Sequence, residues 1–327
     1  MSELIGFENH IDNLIISYQT NKLSNSIIIS GPRGIGKRLF VNTFIKKILK
    51  YEVQKEQLSH NLNLFINNSH PNIKLIKREN DIKNDKLKHN ITIDQIRNLK
   101  SFLNQTSAIN NLFKIIIIDS ADYLNNSSAN SFLKSLEEPH KNTYFFLISH
   151  QLSKLLPTLR SRCFKLKLNS HDYLNFKSIL NNNRNDISDD EIKLLFDITK
   201  GSPGEAIVLF DNNVIKLFDI SLNALFSGII NSHNIELSSI LSKFDNDQFI
   251  NYLYFFKSIL LALYKFKFKQ SDNNKYISNK FLDLQNITSK ISSQTIIDKL
   301  DFLSNNENKL ISFNLDKKLF IMNLFIQ

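Results

Sequence analysis

The stretch Gly31-Pro32-Arg33-Gly34-Ile35-Gly36-Lys37-Arg38 follows the apolar run Ile27-Ile28-Ile29 and precedes a helical pattern. A glycine-rich turn that closes on lysine between a strand and a helix is the setting of a phosphate-binding loop. There, backbone amides at a helix N-terminus cradle phosphate oxygens. The loop is incomplete. Its last position calls for a Ser or Thr hydroxyl beside Mg²⁺, and Arg38 stands there, a side chain that cannot ligate a cation.

The acidic half of such a site belongs at the end of a second strand. The run Ile115-Ile116-Ile117-Ile118 leads to Asp119, where an aspartate would hold Mg²⁺ through water. The next residue would supply the carboxylate that orients the attacking water, but Ser120 is there, and a hydroxyl is a poor base at neutral pH. Gly31, Gly34, Gly36, Lys37 and Asp119 thus outline a degenerate nucleotide site, with no intrinsic ATPase expected and no cofactor required. Two readings stay open. ATP or ADP could still bind, or the loop could persist because its tight turn packs strand on helix. In either case Arg38 would bring positive charge to the place of the metal.

Outward from the loop, short apolar strands alternate with helical stretches, the pattern of a parallel sheet wrapped by helices. The strands are expected at Ser26–Ser30, Ile73–Ile76, Lys114–Ile118, Tyr144–Ile148 and Phe164–Lys167, with a charged loop from Arg78 to Asn90. After Leu168 the strands stop. A helix is expected over Asp189–Lys200 behind a Ser188 cap, ended by Gly201-Ser202-Pro203-Gly204 and restarting at Glu205. From about Leu217 only helices are expected, separated by polar segments such as Gln270–Lys275 and Ser304–Asn308. The domains are then an α/β P-loop domain (1–168), a small helical lid (169–214) and an all-α C-terminal domain (215–327).

Composition narrows the class. The 327 residues carry a net charge of +10, and residues 1–168 hold 24 Lys and Arg against 13 Asp and Glu, a net +11, so the basic character lies in the P-loop half. That charge could serve DNA or nucleotide phosphates, although Lys-rich runs such as Lys83–Lys88 read as solvated loops. The lone Cys163 excludes an internal disulfide and a multi-cysteine zinc site, so no zinc and no metal site is expected. No signal peptide or membrane span is expected. Phe249–Phe268 is interrupted by Asn251 and Lys257 and reads as a buried helix, with Leu253, Phe256, Leu260 and Tyr264 suited to a bundle core. The expected compartment is the cytoplasm.

Between the halves run Asn125-Asn126-Ser127-Ser128-Ala129-Asn130-Ser131-Phe132-Leu133-Lys134-Ser135-Leu136-Glu137-Glu138-Pro139 and Leu155-Leu156-Pro157-Thr158-Leu159-Arg160-Ser161-Arg162-Cys163. With the loop and Asp119 upstream, these stretches resemble the bacterial clamp-loader subunits of DNA polymerase III, within the AAA+ superfamily. The likeness is to the delta-prime family rather than the motor subunits. Arg38 and Ser120 depart from the motor pattern, and Gly204 stands where a motor lid carries a γ-phosphate-sensing arginine. His70-Pro71-Asn72, Ile91-Thr92-Ile93-Asp94-Gln95-Ile96-Arg97 and Asn314-Leu315-Asp316-Lys317-Lys318 also look like delta-prime landmarks. The four-cysteine zinc module of several relatives is missing from Leu49–Phe65.

The resemblance implies an AAA+ domain, a lid and a helical collar in a hetero-oligomer with motor ATPase and clamp-opening subunits. It also implies a DNA polymerase complex that loads a sliding clamp onto primed DNA. This chain would be the stator, lending Arg162 in trans to the ATP site of a neighbour. A surface ion pair is the plainer reading of Arg162. Glu137 and Glu138 read as structural or intersubunit contacts, Ser149-His150 as the polar sensor position, His70 as a structural hydrogen-bonder and Cys163 as buried. The rival functions are a catalytically active motor ATPase of the same complex and a stand-alone DNA-binding AAA+ protein.

Overall fold

Strands β1 (Ser26–Ser30), β2 (Ile73–Lys77), β5 (Lys114–Asp119), β6 (Thr143–Ser149) and β7 (Phe164–Lys167) form one parallel sheet, ordered β2-β5-β6-β1-β7. The computed structural model in which this is seen describes residues 3–81, 86–104, 113–226, 232–268, 284, 288–313 and 315–326. Contacts divide the chain into two compact units, Met1–Ser170 and His171–Gln327.

In the first unit the alternation of side chains along each strand feeds two cores. Ile27, Ile29, Ile115, Ile117, Phe146 and Ile148 pack on one face with Phe40, Phe44, Ile45 and Ile48 of α2 (Lys37–Glu52), alongside α1 (Glu8–Gln19) and α3 (Lys55–Ile66). Ile28, Ile116, Ile118, Phe145 and Leu147 pack on the other. They meet α4 (Ile93–Asn104), α5 (Asn126–Glu137) and α6 (Pro157–Ser161) through Ile96, Leu99, Phe132, Leu136 and Leu159. β1, β5 and β6 are buried on both faces, whereas the edge strands β2 and β7 expose their lysines.

All five expected strands are present, with β2, β5 and β6 a residue or two longer. The stretch read as a loop from Arg78 to Asn90 carries a short antiparallel pair, β3 (Asn80–Asp81) with β4 (Lys86–Leu87), and residues 82–85 lie outside the described residues. Because β1, β5, β6 and β7 run parallel, their C-terminal ends reach the same edge of the sheet. The glycine-rich loop, Asp119 and Ser149 all lie at that edge, where open α/β sheets bind ligands.

The second unit is helical: α7 (Tyr173–Asn183), α8 (Asp189–Thr199), α9 (Pro203–Asp211), α10 (Phe218–Phe226), α11 (Ser232–Ser242), α12 (Asn246–Lys267), then Ser293–Phe313 and Lys317–Ile326. α8 starts on a capping box between Ser188 and Glu191, and Lys200 closes it in the left-handed region. One hydrophobic cluster runs from Tyr173 to Phe325, through the boundary expected near residue 215. Leu253, Phe256 and Leu260 are buried in it, and Tyr264 is partly buried against it.

The separator expected over Ser304–Asn308 is instead part of the helix Ser293–Phe313. Leu303 is buried while Ser304 and Asn305 face solvent, and Asn306 Nδ2 donates to the Phe302 carbonyl at 2.8 Å. Polar residues on a solvent face cost a helix little beside the burial of its apolar face. The separator at Gln270–Lys275 and the landmark Asn314 lie outside the described residues.

Candidate functional site

The glycine-rich loop is shaped at three positive-φ glycines. Gly31 has φ +155° and sits so close to the end of β7 that a Cβ would fall 2.2 Å from the Leu168 carbonyl oxygen. Gly34 has φ +77°. Gly36, φ +93°, is the N-cap of α2, and a Cβ there would meet nothing within 4 Å. The loop thus leaves open space where α2 begins, with Phe40 N–H already committed to the Gly36 carbonyl at 2.8 Å.

Lys37 is 3% exposed, and its ammonium donates to the Gly31 carbonyl at 2.7 Å and to that of Pro32. The lysine is folded onto its own loop, and a phosphate would have to compete with those carbonyls. Arg38 follows on the same turn. Burial works against its charge, and Asp119 is the group that favours it. Burial likewise pushes the Asp119 carboxyl up, opposed by Arg38 first and then by Lys37 and Lys77. The loop glycines therefore fit a phosphate-bearing group. The residues where Mg²⁺ would sit do not fit a metal, because a guanidinium beside Asp119 supplies the positive charge itself. Among the described residues no group of three or more His, Cys, Asp or Glu could hold a metal ion.

Asp122 organises the far side of this edge, and the sequence reading gave it no role. Its carboxylate accepts from Ser120 Oγ, from Ser149 Oγ at 2.9 Å, from His150 N–H at 2.7 Å and from Gln151 N–H at 3.1 Å. Burial pushes the Asp122 carboxyl up, but these four donors together outweigh it and hold the group below the ordinary 3.8. Both Ser120 and Ser149, the hydroxyls at the water-orienting and sensor positions, are thereby turned onto Asp122. His150 is kept neutral, pushed down to about 4 chiefly by burial and then by Lys37. A cavity of about 470 Å³ opens beside these residues, lined by Arg33, Lys77, Arg78, Asp119, Ser120 and His150 among others. Arg78 is held there by its guanidinium lying 3.8 Å over the Tyr123 ring.

Arg162 stands apart from the loop, at the C-cap of α6. Its Nε and Nη2 both reach Glu137 Oε1, at 2.6 and 2.5 Å, and Nη1 donates to the Thr158 carbonyl at 3.0 Å. The side chain is 36% exposed, and that of Glu137 45%. Glu138 is exposed. Cys163 is buried, its thiol pushed up to about 11 by that burial. His70 is buried, accepting from Asn72 N–H at 3.1 Å on Nδ1 and stacked on Phe113. Gly204 lies in the first turn of α9, which starts with Pro203.

Lys37, Arg38 and Asp119 thus converge on one site, while Arg162 bonds to Glu137 and Thr158. Asp122 went unread because three of its four partners come from residues 27 to 29 positions further on. Its only local signal is a second aspartate just past a buried strand.

The sequence profile of the family described as DNA polymerase III, delta subunit, matches residues 6–172, just over half of the chain. DNA polymerase III subunit delta' of Pseudomonas aeruginosa is 33% identical over 143 residues, covering 43% of this chain and 42% of that protein. The delta' subunit of Escherichia coli is 26% identical over 205 residues, 62% of this chain and 59% of its own length. DNA polymerase III subunit gamma of Buchnera aphidicola from Schizaphis graminum is 27% identical over 214 residues, 64% and 57%. The chain spans about half the length of the curated relatives it matches. With the strand–loop–helix edge, Asp119 and the Ser-Arg-Cys turn all inside the matched residues, the chain belongs to the DNA polymerase III delta subunit family.

Proposed function

We propose that this chain is a clamp-loader subunit of the delta-prime kind that acts as a stator. Its own loop does not turn over ATP. Arg162 reaches the ATP site of an adjacent motor subunit, where its fixed charge offsets the charge developing on the γ-phosphate. The helices after His171 join those of the motor and clamp-opening subunits in a collar. The assembly sets a ring-shaped clamp on primed DNA in the cytoplasm. ATP or ADP, if held in the loop, has a structural part only.

One contrast carries the reading. The charge of Arg38 acts on Asp119 where a metal ligand is needed, and the Ser120 and Ser149 hydroxyls are spent on Asp122, whereas Arg162 stays accessible outside that site. A second reading, a motor ATPase, is supported by the likeness to the gamma subunit over 64% of the chain. It requires Mg²⁺-dependent turnover by this chain alone.

The deciding experiment measures ATP turnover by the cognate motor subunits with clamp and primed DNA, adding this chain intact or as Arg162→Ala. The stator reading expects the intact chain to stimulate turnover and the variant to assemble without stimulating, a loss of ~10³-fold if the finger has its usual worth. Equal stimulation by the variant, or turnover by the chain alone, would overturn it.

A further inference from the structure

We propose that Glu137 is a positioning residue for Arg162, fixing the guanidinium with its outer edge presented for phosphate; this rests on the reading of Arg162 as a trans-acting arginine. A guanidinium has five N–H donors in a rigid planar fork. Three are accounted for. Nε and one N–H of Nη2 converge on Glu137 Oε1, and one N–H of Nη1 goes to the Thr158 carbonyl. The two that remain are one on each terminal nitrogen, the pair that can meet two oxygens of a phosphate side by side. Each terminal nitrogen therefore keeps one N–H that Glu137 and Thr158 do not take, and the side chain is still 36% exposed.

The support behind Glu137 is rigid. Phe132 and Leu136 of α5 and Leu159 of α6 are buried in the same cluster, so the elements carrying Glu137, Thr158 and Arg162 are packed together. A long side chain fixed by such a shell loses less freedom on docking than one ordered only at the encounter. Glu137 is also misplaced for the sake of its own helix. It is the last residue of α5, where the carbonyl end of the helix disfavours negative charge. The arginine it holds offsets that cost.

The test uses the complete clamp loader with clamp and primed DNA, with this chain intact or as Glu137→Ala, Glu137→Gln, Arg162→Ala and the double variant Glu137→Ala/Arg162→Ala. Positioning predicts that Glu137→Ala lowers kcat for ATP by about 10-fold at unchanged KM and unchanged assembly on gel filtration, since misplacing a positioned group by about an ångström is felt mainly in kcat. Glu137→Gln keeps an acceptor oxygen and should recover most of the loss. The double variant should be no slower than Arg162→Ala, because the two act through one group. If Glu137→Ala keeps full kcat while Arg162→Ala loses stimulation, the arginine acts without positioning and the inference falls. A kcat raised by Glu137→Ala would make Glu137 a restraint and also overturn it. If Arg162→Ala itself stimulates fully, the trans-acting reading fails, and this inference fails with it.

Discussion

The Asp122 carboxylate accepts a hydrogen bond from the backbone N–H of His150 at 2.7 Å, so the turn after β5 is fastened to the end of β6 by a side chain as well as by the sheet. Removing that carboxylate leaves four donors without their acceptor, among them Ser149 and Ser120, both buried. Asp122→Ala should therefore cost about 3 kcal/mol of unfolding free energy, read as a lower urea midpoint at an unchanged slope. Asp122→Asn, which keeps one oxygen, should cost less. The pH dependence has a definite sign. A carboxyl held below its unfolded value of 3.8 stabilises fully above that value and stops doing so as pH falls through the lower folded value. An acid scan below pH 4 should show this loss in the intact chain and not in Asp122→Asn.

Arg38 leads to a prediction about magnesium. With a guanidinium beside Asp119, affinity for ATP or ADP in the loop gains nothing from the cation. Titrations of fluorescent nucleotide in Mg²⁺ and in EDTA should superimpose for the intact chain. Arg38→Thr restores the hydroxyl and should make binding favour Mg²⁺, still without turnover because Ser120 supplies no carboxylate. A Mg²⁺ requirement in the intact chain would contradict the assignment of Arg38.

Two histidines, His70 buried and His150 half-buried, set the neutral-to-acid behaviour. His70 and His150 are each pushed down to about 4, chiefly by burial, from an unfolded value of 6.5. Between those values the unfolded chain binds protons that the folded chain refuses. Stability is then complete above pH 6.5, falls between 6.5 and about 4, and falls no further on their account below it. His70→Gln should remove about half of this loss, leaving the share due to His150. Equilibrium unfolding at pH 7.5 and pH 5 checks it, and an unchanged difference between the two would exclude His70 as a source.

Much of the fold was legible because its signals are local. Runs such as Ile115-Ile116-Ile117-Ile118 can be buried on both faces only at the centre of a sheet, and Phe164-Lys165-Leu166-Lys167 alternates as an edge strand does. The Ser188–Glu191 cap likewise spans three residues. What escaped is non-local or weak. Asn80–Asp81 pairs with Lys86–Leu87 over too few residues to leave a pattern, and Ser304–Asn308 reads as a break because its polar side chains look alike in a loop and on the wet face of a helix. The same holds within the site. The loop letters announce phosphate chemistry, but the Glu137–Arg162 pair spans 25 residues and the Asp122–His150 pair 28, and only the packing of α5, α6 and β6 brings them together.

Two glycines of the same motif should lose stability to alanine by different amounts and for different reasons. At Gly31 the added Cβ would lie 2.2 Å from the Leu168 carbonyl oxygen and 2.8 Å from Ile35 Cδ1. Leu168 cannot yield freely, because its N–H donates to the Ser30 carbonyl at 2.7 Å and so ties β7 to β1. Gly31→Ala should destabilise the first unit by more than about 3 kcal/mol. At Gly36 the Cβ meets nothing within 4 Å, and the cost is that of a left-handed residue at φ +93°, about 1 to 2 kcal/mol. Urea melts of the two variants test this directly, and equal midpoints would refute the assignment of Gly31 to packing. The pair also separates the two readings of the loop. Gly36→Ala leaves a folded chain with a methyl group at the mouth of the phosphate cradle, so a loop that holds nucleotide loses affinity in that variant. A loop kept only for packing shows losses of stability in the two variants and no nucleotide affinity to lose.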